Sequence, residues 1–271
     1  MIFMKERSVR GLLLLLTAVV VSLTGLGNAM AAKPSAGTPA ALGADISWPQ
    51  CGKVYPSGQY FGIVGVNGGL ANNSNSCFDS ELAWAQKSIG LVGQDTAALY
   101  VNTANPGLSG RYWPIDNSYQ GVQIGNPYGT CDNRDTPACA YIYGYAKAYD
   151  DATIRGVINP SSYTWWLDVE TTNSWESNKV ANAADLEGMV NYFASIGVKG
   201  VGLYSTSYQW GQIVGVTQPT SPLNGLKSWL AGGSSVRSAQ NICLLPPLTT
   251  GGTVTLAQFV SNQTDYNVAC K

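Results

Sequence analysis

The sequence contains no histidine. That excludes Ser-His-Asp and Cys-His catalysis and every His-ligated zinc or haem site. An enzyme built from this chain must move protons with Asp, Glu, Tyr, Lys or Cys. Charge is scarce as well: only 11% of the 271 residues are Asp, Glu, Lys or Arg, and the net charge is −1. This argues against a basic nucleic-acid-binding surface. There is no Cys-x-x-Cys pair, and Gly68-Gly69 lacks the Lys-Ser/Thr of a phosphate loop. Low charge does not mean disorder here. Hydrophobic residues make up 45% of the chain, with 15 Tyr and 8 Trp, enough to bury a substantial core.

The N-terminus reads as an export signal. Lys5, Arg7 and Arg10 form a basic start, and Leu12 to Leu26 form a short apolar run interrupted by Ser22, Thr24 and Gly25. Ala29-Met30-Ala31 supplies a small-x-small cleavage pattern. Residues 1–31 are therefore expected to be a signal peptide, with no stable membrane insertion after cleavage. Residues 32–42, rich in Ala, Pro and Gly, read as a flexible leader. The folded domain is expected over 43–271.

Six cysteines remain: Cys51, Cys77, Cys131, Cys139, Cys243 and Cys270. An even number in an exported chain implies disulfides. The sequence alone permits any connectivity; the nearest-neighbour set, 51–77, 131–139 and 243–270, is the expected one.

From residue 44 onward, short apolar runs alternate with amphipathic stretches. Strands are expected at Ala44–Trp48, Phe61–Val66, Ala97–Asn102, Tyr163–Glu170, Gly200–Ser205, Lys227–Ala231 and Thr255–Val260, with a weaker one near Ala239–Leu244. Helices are expected at Phe78–Ser88, Ala140–Ile154 and 183–196. In the last, Leu186, Met189, Val190, Phe193 and Ile196 share one face, Asn182 is the expected N-cap and Asp185 sits in the first turn. This rhythm predicts a single α/β domain, a (β/α)8-type TIM-like barrel with disulfide-stapled loops.

The segment Thr164–Thr171 carries the chemistry. On a strand, alternate residues share a face, so Trp166, Asp168 and Glu170 point one way and Trp165, Leu167 and Val169 the other. If the apolar set meets the helices, the two carboxylates point into the barrel at the strand's C-terminal end. They lie roughly 6–7 Å apart at Cα. Like charges that close push one pKa up, so one group donates while the other stays ionised. Asp45 on the first strand and Asp265 near the last would converge on the same mouth. Asn102 ends the third strand and would face it too. Asp150-Asp151, at a helix end, are expected to be solvated. Trp113, Tyr119 and Tyr128, in the long loop region, are expected to pack locally.

In this order the motifs resemble the glycoside hydrolase family 25 lysozymes, the Chalaropsis-type muramidases. The matching elements are Asp45-Ile46-Ser47, Asp168-Val169-Glu170, Gly202-Leu203-Tyr204-Ser205, Trp229-Leu230-Ala231, Gln258-Phe259 and Asp265-Tyr266-Asn267. The chain departs from the family at Pro49 and Cys51, just after the first strand. The resemblance implies a modified barrel that cleaves the β-1,4 bond after N-acetylmuramic acid in peptidoglycan. It implies Glu170 as the acid, and Asp168 as the group that positions the substrate N-acetyl or stabilises the charged transition state. Asp45 and Asp265 would set the surrounding electrostatics, and Tyr204 and Trp229 would meet sugar rings. It implies substrate-assisted cleavage rather than an enzyme nucleophile, and neither metal nor cofactor. The expected partner is peptidoglycan or another polysaccharide, met by an extracellular monomer at the cell wall. The other reading open at this point is a non-catalytic or altered-specificity glycan-binding barrel.

Overall fold

A computed structural model describes residues 40–271. The expected signal peptide and most of the leader lie outside the described residues. The leader's last residue, Leu42, already belongs to the first strand.

The strands follow the apolar runs. In chain order they are β1 (Leu42–Ile46), β2 (Gly62–Gly65), β3 (Ala97–Asn102), the two-residue pieces β4 (Ser118–Tyr119) and β5 (Val122–Gln123), β6 (Thr164–Asp168), β7 (Gly200–Ser205), β8 (Lys227–Gly233), β9 (Thr253–Ser261) and β10 (Thr264–Ala269). Among the described residues five helices intervene: α1 (Phe78–Ala85), α2 (Pro137–Thr153), α3 (Lys179–Ser195), α4 (Ser207–Ile213) and α5 (Val236–Ile242). Eight strands close a barrel in the order β1-β10-β9-β8-β7-β6-β3-β2, while β4 and β5 form a separate small hairpin.

The barrel departs from an all-parallel one in two places. β10 runs antiparallel to both neighbours, β9 and β1. The cause is local: Asn262 and Gln263 both adopt positive φ, 51° and 62°, and join β9 to β10 by a tight two-residue turn. The stretch expected as a weak strand, Ala239–Leu244, lies largely in α5 instead. Ser235 caps that helix by accepting from the Ser238 N–H, while the Ser238 hydroxyl reaches back to the Ser235 N–H. The eighth barrel strand is therefore β10.

Side-chain alternation sorts the core into two layers. Inside the barrel lie Phe61, Ile63, Ala98, Trp166, Trp229 and Leu256. Between barrel and helices lie Leu99, Val101, Trp165, Leu167, Leu186 and Phe193. Trp165 stacks on Phe193 with ring centroids 4.5 Å apart. Burying each such ring contributes roughly 1.5–3 kcal/mol. The α2–α3 contact needs two glycines. A Cβ at Gly144 would sit 1.9 Å from the Asp185 carbonyl oxygen, and one at Gly188 would sit 2.0 Å from that of Tyr141.

α3 starts one turn earlier than the periodicity indicates. Asn178, not Asn182, is the N-cap, accepting from the Val180 and Ala181 N–H groups. Asn182 is buried and ties α3 to the carbonyls of Glu176 and Ile213. Asp185 consequently sits in the second turn, buried, with both oxygens unpartnered. β1 also stops early: Pro49 turns Trp48–Gln50 into a single 3-10 turn, leaving Trp48 exposed.

The disulfides are Cys51–Cys77, Cys131–Cys139 and Cys243–Cys270. The first ties the connection after β1 to the start of α1. The second ties the long β3–α2 connection to the first turn of α2. The third ties the end of α5 to the end of β10. No described helix is long and apolar enough to cross a membrane.

Candidate active site

The strand register assembles the site. Asn102, Asp168, Tyr204 and Trp229 are successive partners across β3, β6, β7 and β8, so they form one inward row. On the closing side, Asp45 of β1 is the register partner of Asp265 of β10. Glu170 follows the end of β6 by two residues and is partly exposed. All of these but Asn102 line a cleft of about 440 Å3 that also includes Tyr100, Thr206, Gln258 and Val260. The four carboxylates expected to converge do so. Their place is the C-terminal end of the parallel strands, where barrel enzymes build their sites.

Asp45 is almost fully buried, 7% exposed, and is held by two amides. Asn267 Nδ2 donates to Asp45 Oδ2 at 2.7 Å, and Gln258 Nε2 lies 3.1 Å from both carboxylate oxygens. Aromatic donors fix which way these amides face. The Trp229 indole N–H, which can only donate, reaches Asn267 Oδ1 at 2.8 Å, and the Tyr204 hydroxyl donates to Gln258 Oε1 at 2.8 Å. Trp229 is thus a partner of Asp45's partner. It is 2% exposed and packs against Tyr100, Trp166 and Tyr204, so its ring contributes to the cleft floor rather than standing out as a stacking face. Tyr204, though polar-tipped and less buried, also spends its hydroxyl inside the protein.

Asp168 is treated differently. Asn102 Nδ2 donates to its Oδ2 at 2.8 Å, but its Oδ1 is buried with no partner. Asn102 is itself held from behind. Its backbone N–H donates to Asn67 Oδ1 at 2.6 Å, Asn67 Nδ2 donates to Asp151 Oδ1 at 2.8 Å, and Arg155 Nε meets the same oxygen at 2.5 Å. Asp151 is buried, and so is Asp150, bonded to Lys147 and to the Tyr119 hydroxyl. The expectation that Asp150 and Asp151 are solvated is therefore corrected: α2 turns them inward, where cations and amides meet them. Trp113, Tyr119 and Tyr128 pack against α2 and its neighbours.

No lysine or arginine among the described residues pairs with Asp45, Asp168, Glu170 or Asp265. Burial and mutual repulsion therefore act unopposed by a cation. Burial, then the Asp265 charge, pushes Asp45 up to about 7, against the pull of its two amides. Burial, then Glu170 and Asp45, holds Asp168 well above the usual carboxylate range. Burial raises Glu170, with Asp265 adding and the Gln209 side chain opposing. Gln209 Oε1 accepts from the Thr171 N–H and hydroxyl, which turns its NH2 toward Glu170. Burial raises Asp265 too. A site loaded this way takes up protons more readily than isolated carboxylates do and disfavours further negative charge in a bound molecule.

Sequence reasoning missed Tyr100 and Gln209. Tyr100 lies between Ala98 and Asn102 on the same face of β3, so period-two alternation could have found it. Gln209 lies on α4, and no spacing marks it.

Comparison with known proteins bears on this geometry. Residues 149–239, from α2 into α5, match a family model described as lysozyme-like protein 1. The chain resembles a muramidase from Trichobolus zukalii at 18% identity and a TM-score of 0.51, over 85% of this chain and 93% of that one. It resembles a bacterial lysozyme from Streptomyces coelicolor at 15% identity and a TM-score of 0.53, over 86% and 94%. The chain has the lysozyme-like barrel fold. None of the curated proteins matches it by sequence. The lysozyme-like segment carries Asp168, Glu170, Tyr204 and Trp229. Asp45 and Asp265 lie outside that segment, and the strand pairing of the lysozyme-like barrel brings them in.

Proposed function

We propose that the chain is a secreted glycoside hydrolase of lysozyme type that cleaves the β-1,4 bond after N-acetylmuramic acid in peptidoglycan. In this reading residues 1–31 direct export, residues 32–41 form a leader, and the catalytic domain begins with Leu42 at the start of β1. The observation that carries the proposal is the bare Oδ1 of Asp168. A buried carboxylate oxygen without a donor, beside a partly exposed acid in an open cleft, is a place for a substrate N–H.

The N-acetyl N–H of the sugar at the cleaved bond donates to Asp168 Oδ1. That contact turns the acetyl carbonyl oxygen toward the anomeric carbon. Glu170, whose burial shifts its pKa upward and so favours the acid form, gives its proton to the leaving glycosidic oxygen. The bond to that oxygen breaks as the acetyl oxygen bonds the anomeric carbon, forming a cationic ring that the carboxylates stabilise. Water then attacks the anomeric carbon, Glu170 takes its proton, and the ring opens to the free sugar. This substrate-assisted route differs from that of glycosidases with a carboxylate nucleophile.

The test compares wild type with Glu170→Gln on purified peptidoglycan, following reducing ends and identifying fragments by mass. Wild type is expected to release muramic-acid reducing ends. The Gln variant is expected to fold and to run at least about a hundredfold slower. If oxidised, folded wild type releases nothing, the hydrolase reading falls and a glycan-binding barrel takes its place.

A further inference from the structure

A second cavity, also about 440 Å3, opens beside the acidic cleft. Its walls come from the segments that follow β2, β3 and β6, together with Tyr143 of α2. These walls continue those of the cleft. Thr172 is two residues past Glu170, and Ala104 is two residues past Asn102. Two residues of extended chain span at most about 7 Å. The two linings share no residue, but these short separations put the second cavity within reach of a polymer that extends out of the cleft.

The two cavities differ in charge. The cleft holds four carboxylates, whereas no Asp or Glu lines the second cavity. Arg111 lines it, and no described carboxylate forms an ion pair with Arg111. At its edge stands Tyr112, 70% exposed. Its φ is 66°, a left-handed conformation that costs a non-glycine residue of order 1 kcal/mol. The Lys147 ammonium supports the ring from below, 5.1 Å from its centroid. Lys147 is anchored by Asn72 and Asp150. An aromatic ring exposed at strained backbone over a fixed cation is a held platform.

We propose that this cavity is a binding site for the peptide-bearing part of the glycan strand. A sugar ring next to the cleaved bond stacks on Tyr112, and a carboxylate of its stem peptide pairs with Arg111. The inference rests on the peptidoglycan reading above and adds the substituent that the enzyme requires. An anionic stem is disfavoured by the carboxylates of the cleft and accepted by this neighbouring cavity, whose lining lacks them.

The experiment measures cleavage of peptide-bearing glycan and of amidase-stripped glycan by wild type, Tyr112→Gly and Arg111→Gln. Glycine suits the left-handed backbone, so Tyr112→Gly removes the ring without unfolding the loop. It is expected to raise KM about tenfold on both substrates. Arg111→Gln is expected to raise KM about tenfold on peptide-bearing glycan and distinctly less on stripped glycan. Changes below about twofold for both variants on peptide-bearing glycan overturn the proposal. An equal loss for Arg111→Gln on both substrates overturns the peptide assignment. If wild type cleaves neither substrate, calorimetry with peptide-bearing glycan separates the two readings. Binding that Tyr112→Gly weakens supports the cavity while catalysis falls; no binding by wild type sinks both.

Discussion

The two ends of the barrel treat carboxylates in opposite ways. At the end where the parallel strands begin, Asp95 meets Lys199 and accepts from the Thr164 hydroxyl beside a cavity of about 250 Å3. At the end where they finish, Asp45, Asp168, Glu170 and Asp265 share a cleft with no cation among them. One end satisfies its charge and the other leaves it unspent. On the proposed function, the contrast separates a face that serves stability from one that serves chemistry. It also bears on stability: unpaired buried carboxylates weaken a fold, and the cleft gathers four acids without a cation.

The strongest way to break the contrast is Asp168→Asn. It keeps the shape but, with Asn102 still donating to the remaining oxygen, puts an NH2 where the bare Oδ1 stood, and that group cannot accept a substrate N–H. Cleavage is expected to fall by about a hundredfold to a thousandfold, while the melting temperature stays level or rises. A fall of less than about tenfold would remove Asp168 from the proposed mechanism.

Asp45→Asn should act more on stability, through pH. The native state holds the Asp45 proton up to about pH 7. The unfolded chain releases it near pH 4, at the ordinary carboxylate value. Between these values the native state binds more protons, so stability falls as pH rises. The stability of wild type minus that of Asp45→Asn is therefore expected to decline from about pH 4 to about pH 7 and to level off above. Urea titrations across that range measure it. A flat difference would mean that Asp45 titrates normally.

The smallest effect belongs to the other end. Lys199→Met breaks a pair whose lysine is 56% exposed, so the loss should be under about 1 kcal/mol. Cleavage should be unaffected. A large loss of activity would show that the two ends are coupled and would blunt the contrast.

Much of this arrangement was legible in the chain, for identifiable reasons. Alternation around Asp168 is a local property of a strand, and the structure places Trp165 and Trp166 in opposite layers accordingly. The meeting of Asp45 with Asp265 followed from closure, because a barrel makes its first and last strands neighbours. The antiparallel sense of β10 was not legible, because Asn262-Gln263 lacks the glycine that usually marks a two-residue turn. α5 was missed because its short apolar run hid the Ser235–Ser238 capping pair. The chain from Arg155 through Asp151 and Asn67 to Asn102 was beyond sequence reading. It depends on which face of α2 meets the loop after β2, a matter of tertiary packing.

The closing hairpin also bears on when the site exists. A ribosome makes β1 first and β9–β10 last. Asp45 therefore waits through synthesis for Gln258, Asn267 and its neighbour Asp265, all of which arrive within the final fourteen residues of the sequence. Cys243 must wait as well, since Cys270 is the penultimate residue. Until that last stretch emerges, the barrel is open between β1 and β8 and the four carboxylates cannot face one another. The order of synthesis is then a timer: the site cannot assemble before β9 and β10 have been made.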